Sequence, residues 1–302
     1  MSLRLAALSL LLRLFEKPRL AAAQDLTGLR AGFEAIAAAS FPSPPGVSYA
    51  DEWLGRIAAV RARPPGAGGA LILYLHGGAF ILGSPRTHRH LAAALAAAAG
   101  AEAAIPAYRL APEHPHPAAL EDALAAWRAL LDRGADPART AFAGDSAGGG
   151  LALALAAAAR AEGLPDPACV VAFSPWVDMT LSGASWRTNA EADCMLPATR
   201  APEVVGWRMN GADLRDPFAS PLFARWDRPP PPALIFASRT EVLADDAIAM
   251  AAALKAAGGE AEIAWAPDAP HAWPIFTGLA PEADEALAEA GAYVARRTGV
   301  AP

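Results

Sequence analysis

The stretch that most limits what this chain can fold into is "AFAGDSAGGGLALALAAAA", Ala141 to Ala159. A short apolar run breaks into Gly-Asp-Ser-Ala-Gly, and an alanine- and leucine-rich helical pattern starts at once. Gly144-Asp145-Ser146-Ala147-Gly148 fits G-x-S-x-G, and a strand before it with a helix after it is the context this motif requires. A turn that sharp puts its central residue in a strained backbone conformation. The flanking positions need glycine, because a Cβ there would collide with the neighbouring strand or helix. Such an elbow lifts Ser146 Oγ above a sheet edge, where the helix N-terminus favours developing negative charge. The plainer reading is a glycine-rich loop in which Asp145 or Ser146 merely caps a helix.

The rest of the chain supplies the matching rhythm of strand, loop and helix. Apolar runs predict strands at 70–75, 101–107, 140–143, 169–173, 233–237 and 260–265. Helical patterns fall near 89–99, 118–132, 147–161, 243–257 and 282–296. Ahead of them, 47–69 reads as two short strands joined near Gly55 and closed by a Pro-Gly loop. Short apolar strands alternating with helices mean a mostly parallel sheet covered on both faces, with the strand-end loops gathered on one edge. Residues 182–215 interrupt the rhythm with a helical, Trp- and Met-containing segment too long for a plain connection. The expected division is N-terminal cap helices over 1–45, core over 46–181, a cap insertion over 182–215 and core again over 216–302.

A serine hydroxyl needs a base to become a nucleophile. Of the six histidines, His271 in "PDAPHAWPIF" is the one in a loop directly after the last predicted strand, at the same sheet edge as Ser146. The base needs a carboxylate to fix its tautomer. "ALIFASRTEVLADDA" offers Glu241, Asp245 and Asp246. Glu241 lies in the loop itself and is preferred, with Asp245 next; Asp245 and Asp246 also suit the first turn of a helix. Donors for a tetrahedral oxyanion are expected from the backbone of Gly77, Gly78 or Ala79, straight off a core strand, and of Ala147. Trp186, Met195, Trp207 and Met209 are candidates for lining a substrate pocket.

Composition excludes other classes. The net charge of −6 with no basic block gives no footprint for nucleic acid. The two cysteines, Cys169 and Cys194, lack disulfide-framework, metal or redox spacing and read as buried thiols, so no metal site is expected. The first 25 residues place Ser2, Ser9, Arg13, Glu16 and Lys17 on one helical face with leucines over the rest, which predicts an amphipathic helix docked on the protein. The charges at 13–19 argue against a signal peptide, and no run reaches the length of a membrane span, so stable membrane insertion is not expected. A cytoplasmic chain is expected.

These residues together resemble the hormone-sensitive-lipase-like family of α/β-hydrolases, the microbial carboxylesterase branch. The matching segments are "HGGAF" (76–80), "YRLAPEHPHPAALEDA" (108–123), "GDSAGG" (144–149), "SPWVDMTLSG" (174–183), "DPFASPL" (216–222), "EVLADDA" (241–247) and "HAW" (271–273). The resemblance implies an α/β-hydrolase fold with a small helical cap and Ser146, Glu241 and His271 in Ser…acid…His order. It implies hydrolysis of short- to medium-chain acyl esters through an acyl-enzyme, without a cofactor, and permits a homodimer through the last strand and helix. His76, Glu121 and Asp122 would support loops. Two departures stand out: Ala79 replaces a third glycine, and Glu241 stands where aspartate is common. An amidase or lactonase with the same triad, an interfacial lipase whose apolar N-terminal face Arg4 interrupts, and a non-catalytic receptor are the competing functions.

Overall fold

Strands of five to seven residues, mostly apolar and rich in alanine and leucine, alternate with alanine-rich helices along the chain, which the computed structural model describes over residues 1–300. Helix α1 (Leu3–Leu11) passes through a wider π-helical turn (Leu12–Glu16) into α2 (Lys17–Ala22), and α3 (Leu26–Ser40) follows. A hairpin of β1 (Ser48–Leu54) and β2 (Ile57–Arg63) turns through Gly55. Then come β3 (Leu71–Leu75), α4 (Pro85–Ala99), β4 (Glu102–Pro106), α5 (Ala118–Asp132), β5 (Thr140–Asp145), α6 (Ala147–Ala161) and β6 (Cys169–Phe173). After α7 (Ser185–Thr188) and α8 (Ala201–Met209), the chain ends with β7 (Ala233–Ser238), α9 (Ala244–Ala256), β8 (Ala261–Ala266) and α10 (Pro281–Thr298).

The eight strands form one sheet in the order β1-β2-β4-β3-β5-β6-β7-β8. β2 is antiparallel to both its neighbours, and all pairs from β4 to β8 are parallel. Alternation along β3 explains why both faces need cover. Leu73 and Leu75 enter a core shared with α5, α6 and α9, while Ile72 and Tyr74 enter another shared with α4 and α10. A strand buried on both sides reads as a continuous apolar run for this reason. From β3 the chain crosses outward to β4, then returns past β3 to β5 and proceeds the other way. The crevice between the C-terminal ends of β3 and β5 is therefore the topological switch point, where such sheets carry their sites.

Element boundaries shift slightly from expectation. α4 starts four residues before Arg89 because Ser84 and Thr87 form a capping box and Pro85 takes the first helical position. β5 continues to Asp145, whose backbone still pairs with Phe173. The 182–215 segment holds two short α-helices and a 3-10 turn (Ala198–Arg200) that leads into the second.

The N-terminal helix docks on the protein through a mixed face: Leu5 is buried in the core, Leu8 and Leu12 pack against it, and polar side chains beside them are bonded. Ser2 Oγ donates to Glu282 (2.9 Å), Arg13 to the carbonyls of Glu191 and Ala192 (2.6 and 2.7 Å), and Lys17 to those of Ala190 and Asp193 (2.6 and 2.7 Å). Leu3, Leu10, Leu11 and Leu14 face outward, while Leu5, Leu8 and Leu12 turn inward together with the polar side chains that bond Glu282 and the carbonyls of 190–193. No helix among the described residues is long and apolar enough to cross a membrane.

Candidate active site

Ser146 sits between β5 and α6 at φ 55° and ψ −124°, a strained conformation for a residue with a side chain. Its N–H donates to Phe173 O (2.7 Å), and its carbonyl accepts from Trp176 (3.0 Å) and Gly150 (3.1 Å). The glycines are needed for the reason the motif suggests. A Cβ at Gly148 would lie 2.1 Å from Leu75 O, and one at Gly144 would lie 2.4 Å from Gly148 O.

Asp145 does more than the capping role weighed from sequence. Its buried carboxylate accepts from Tyr74 Oη (2.8 Å) and Gly77 N–H (3.0 Å) and faces His88 Nε2 at 3.3 Å. Burial opposes its charge, yet the neighbouring His88 ring and these donors outweigh burial and hold the carboxyl below its ordinary value. Asp145 thus ties the elbow after β5 to the loop after β3. That loop is strained: Gly78, Ala79 and Phe80 take φ of 113°, 55° and 62°. The alanine in place of a third glycine therefore occupies the left-handed region itself. Gly77 spends its N–H on Asp145, which removes it from the three candidate donors in this loop. Among the described residues, the N–H groups of Gly78 and Ala79 donate to no protein acceptor. Ala147 opens α6, so its N–H has no intrahelical acceptor.

His76 is buried and stacked on Tyr108 at 4.1 Å, and Tyr108 Oη donates to the His76 carbonyl (2.6 Å). Burial chiefly, with the nearby His88, pushes its pKa down to about 3, so the ring is neutral and braces the loop. Arg109 bonds both Glu121 and Asp122, closing the segment that follows β4.

His271 follows β8 and is 3% exposed. Its Nδ1 donates to Glu241 Oε2 (2.7 Å). Glu241 Oε1 accepts from Ser174 Oγ (3.0 Å) and Ser238 N–H (2.8 Å), and Ser174 Oγ accepts from Ala272 N–H (3.0 Å). Ser174, at the end of β6, was not singled out from sequence; the Ser-Pro-Trp turn was its one signal. Burial disfavours the charged imidazole, but the hydrogen bond and charge of Glu241, helped by Asp193 and Asp145, raise the His271 pKa above its ordinary value. His271 Nε2 is buried without a hydrogen-bond partner, and among the described residues no hydrogen bond joins it to Ser146 Oγ. Asp245 and Asp246 point elsewhere. Asp245 accepts from Ser185 N–H (2.9 Å), and Asp246 from Val177 and Asp178 N–H groups (2.9 and 3.2 Å). Burial pushes the Asp246 carboxyl up to about 8.

Ser146, His271, Gly78 and Ala79 line one predominantly apolar cavity of about 170 Å³ that opens to solvent. Its walls come from the N-terminal helices (Leu20, Leu29, Phe33) and from the 182–215 segment (Trp186, Met195, Trp207). Met209 does not join them. It is 2% exposed and packs in the core, two residues after Trp207 and so on the far side of the helix from it. Cys169 and Cys194 are buried free thiols, and burial raises the pKa of both.

Comparisons with known proteins agree with this architecture. A family described as the alpha/beta hydrolase fold matches residues 72–275. The chain is 42% identical over 246 residues to an acetyl-hydrolase of Streptomyces hygroscopicus, covering 82% of each chain. It is 35% identical over 234 residues to esterase LipU of Mycobacterium tuberculosis, covering 76% of this chain and 78% of the relative. An esterase from the bacterial hormone-sensitive lipase family superposes with a TM-score of 0.93 at 36% identity, over 99% of both chains. The chain belongs to the α/β-hydrolase fold family, in its hormone-sensitive-lipase-like branch.

Proposed function

We propose that Ser146, His271 and Glu241 act as nucleophile, general base and orienting acid in a serine carboxylesterase, with Gly78, Ala79 and Ala147 N–H groups receiving the oxyanion. The protein is a carboxylic ester hydrolase. The observation that carries the assignment is the 2.7 Å bond from His271 Nδ1 to Glu241, which leaves Nε2 unpaired at the cavity that holds Ser146. Nucleophile–base contacts are often loose without substrate and tighten in the reacting complex. Ser146 Oγ then attacks the ester carbonyl as His271 Nε2 takes its proton. The imidazolium, paired to Glu241, gives that proton to the leaving alkoxide. Water repeats the sequence on the acyl-enzyme and releases the acid.

The predominantly apolar walls favour short- to medium-chain acyl esters, whose hydrocarbon they remove from water. Residues 1–45 and 182–215 would form the cap that sets chain length. A cytoplasmic site suits the two free buried thiols. A homodimer through β8 and α10 fits β8 being an edge strand. The decisive variant is Ser146→Ala. It should fold, by circular dichroism, yet hydrolyse p-nitrophenyl butyrate at about 10³-fold or more below wild type. Wild-type turnover in that variant would overturn the assignment.

A further inference from the structure

The N-terminal helix carries an apolar stripe that no part of the described protein covers. Leu3, Ala7, Leu10 and Leu14 recur at the spacing of one helix face, with Leu11 and Phe15 beside them, and all are exposed. Leu3 is 90% exposed, Phe15 67%, and Leu10, Leu11 and Leu14 between 54% and 56%. Scattered surface leucines are ordinary, but a continuous stripe of this kind marks an interaction surface. The polar side of the same helix is anchored to Glu282 and to the carbonyls of 190–193. The stripe is thus held outward by specific bonds.

Charge indicates what covers it. Residues 1–24 contain Arg4, Arg13, Lys17 and Arg19 against one acid, Glu16, in a chain whose net charge is −6. Glu16 is paired with Arg19 (2.6 Å). Arg4 and Arg13 are exposed beside the stripe, Arg13 next to the exposed Glu191 whose carbonyl it binds. An apolar face flanked by cations, on a helix too short to span, is the pattern of a segment lying in the plane of an anionic bilayer surface. We propose that this face docks reversibly on anionic phospholipid. Glu16, Arg19 and Leu20 of the same segment line the cavity of Ser146, so docking sets the cavity mouth at the lipid–water boundary. That consequence rests on the esterase reading; the docking does not.

The test is flotation of the full chain with unilamellar vesicles of phosphatidylcholine plus phosphatidylglycerol, and with phosphatidylcholine alone. Wild type should float with the anionic vesicles, less at high salt, and less with phosphatidylcholine alone. The triple variant Leu10→Gln, Leu14→Gln, Phe15→Gln should lose on the order of tenfold or more of that partitioning. Its turnover of p-nitrophenyl butyrate in solution should stay at the wild-type level, which also shows that it folds. Wild type left behind by the anionic vesicles, or a triple variant that floats as well as wild type, would overturn the proposal. So would sedimentation showing a wild-type dimer that the triple variant dissolves, since a second copy would then cover the stripe. Ser146→Ala should float unchanged, so failure of docking and failure of the esterase assignment are read separately.

Discussion

Glu241 gives one oxygen to His271 and the other to Ser174 Oγ and the Ser238 N–H, so its extra methylene relative to aspartate is taken up by a bonded frame. Replacing it by glutamine removes the charge that favours imidazolium. Turnover should then fall on the order of 10²–10⁴-fold, while Asp245→Asn, away from the ring, should leave kcat near wild type. The reverse ranking would move the acid to Asp245. The pH dependence follows from the same contact. Only neutral His271 accepts the serine proton, and its pKa lies above the ordinary 6.5. Activity should therefore be lost as pH falls through a midpoint above that value, and Glu241→Gln should move the midpoint down. A pH–kcat/KM profile of both proteins checks the direction. Asp145 was legible only as a possible cap, because sequence shows a carboxylate beside a serine but not the Gly77 N–H above it. Asp145→Ala leaves that N–H and the Tyr74 hydroxyl unpaired in a buried setting, at about 1–3 kcal/mol each. The melting temperature should drop and kcat should fall more than KM changes; unchanged kinetics would mean that the loop after β3 holds its shape alone.

At the scale of elements, the junction of β5 and α6 against β3 leaves no room for a side chain. A Cβ on Gly148 would meet Leu75 O at 2.1 Å and His76 O at 2.3 Å, both backbone atoms that cannot turn aside. Gly148→Ala must push α6 from the sheet, so we expect both folding yield and activity to collapse. Gly163 provides the control: it has φ 73° and nothing within 4 Å of its absent Cβ. Gly163→Ala should cost only about 1–2 kcal/mol of left-handed strain in a urea melt and leave turnover intact. Strands were readable because burial on both faces leaves unbroken apolar runs, as at Cys169–Phe173. The start of α4 was less so, since His88, Arg89 and His90 mask a helix that Ser84 begins. The docking side of α1 was only half legible, since leucines recur on two sides of the helix and the spacing does not say that Leu5, Leu8 and Leu12 turn inward while Leu3, Leu10 and Leu14 stay outside.

Over the whole molecule, function depends on where the sheet reverses its order. The loops after β3 and β5 flank that point, and those after β6, β7 and β8 bring Ser174, Glu241 and His271 along the same edge. Sequence order and the handedness of crossovers are enough to gather Ser146, Glu241 and His271 there, which is why these three were legible over a separation of more than a hundred residues. Pocket lining was not, as Met209 shows: spacing puts Trp207 and Met209 on opposite sides of α8, but not which side turns to the cavity. The central claim is that Ser146 is the nucleophile of an acyl-enzyme. Peptide mapping by mass spectrometry after inactivation with a p-nitrophenyl phosphonate ester tests it most directly. The expected result is a single phosphonyl adduct on Ser146, formed in step with loss of activity and missing from His271→Ala. An adduct on another residue, or full inactivation with Ser146 unmodified, would contradict the account.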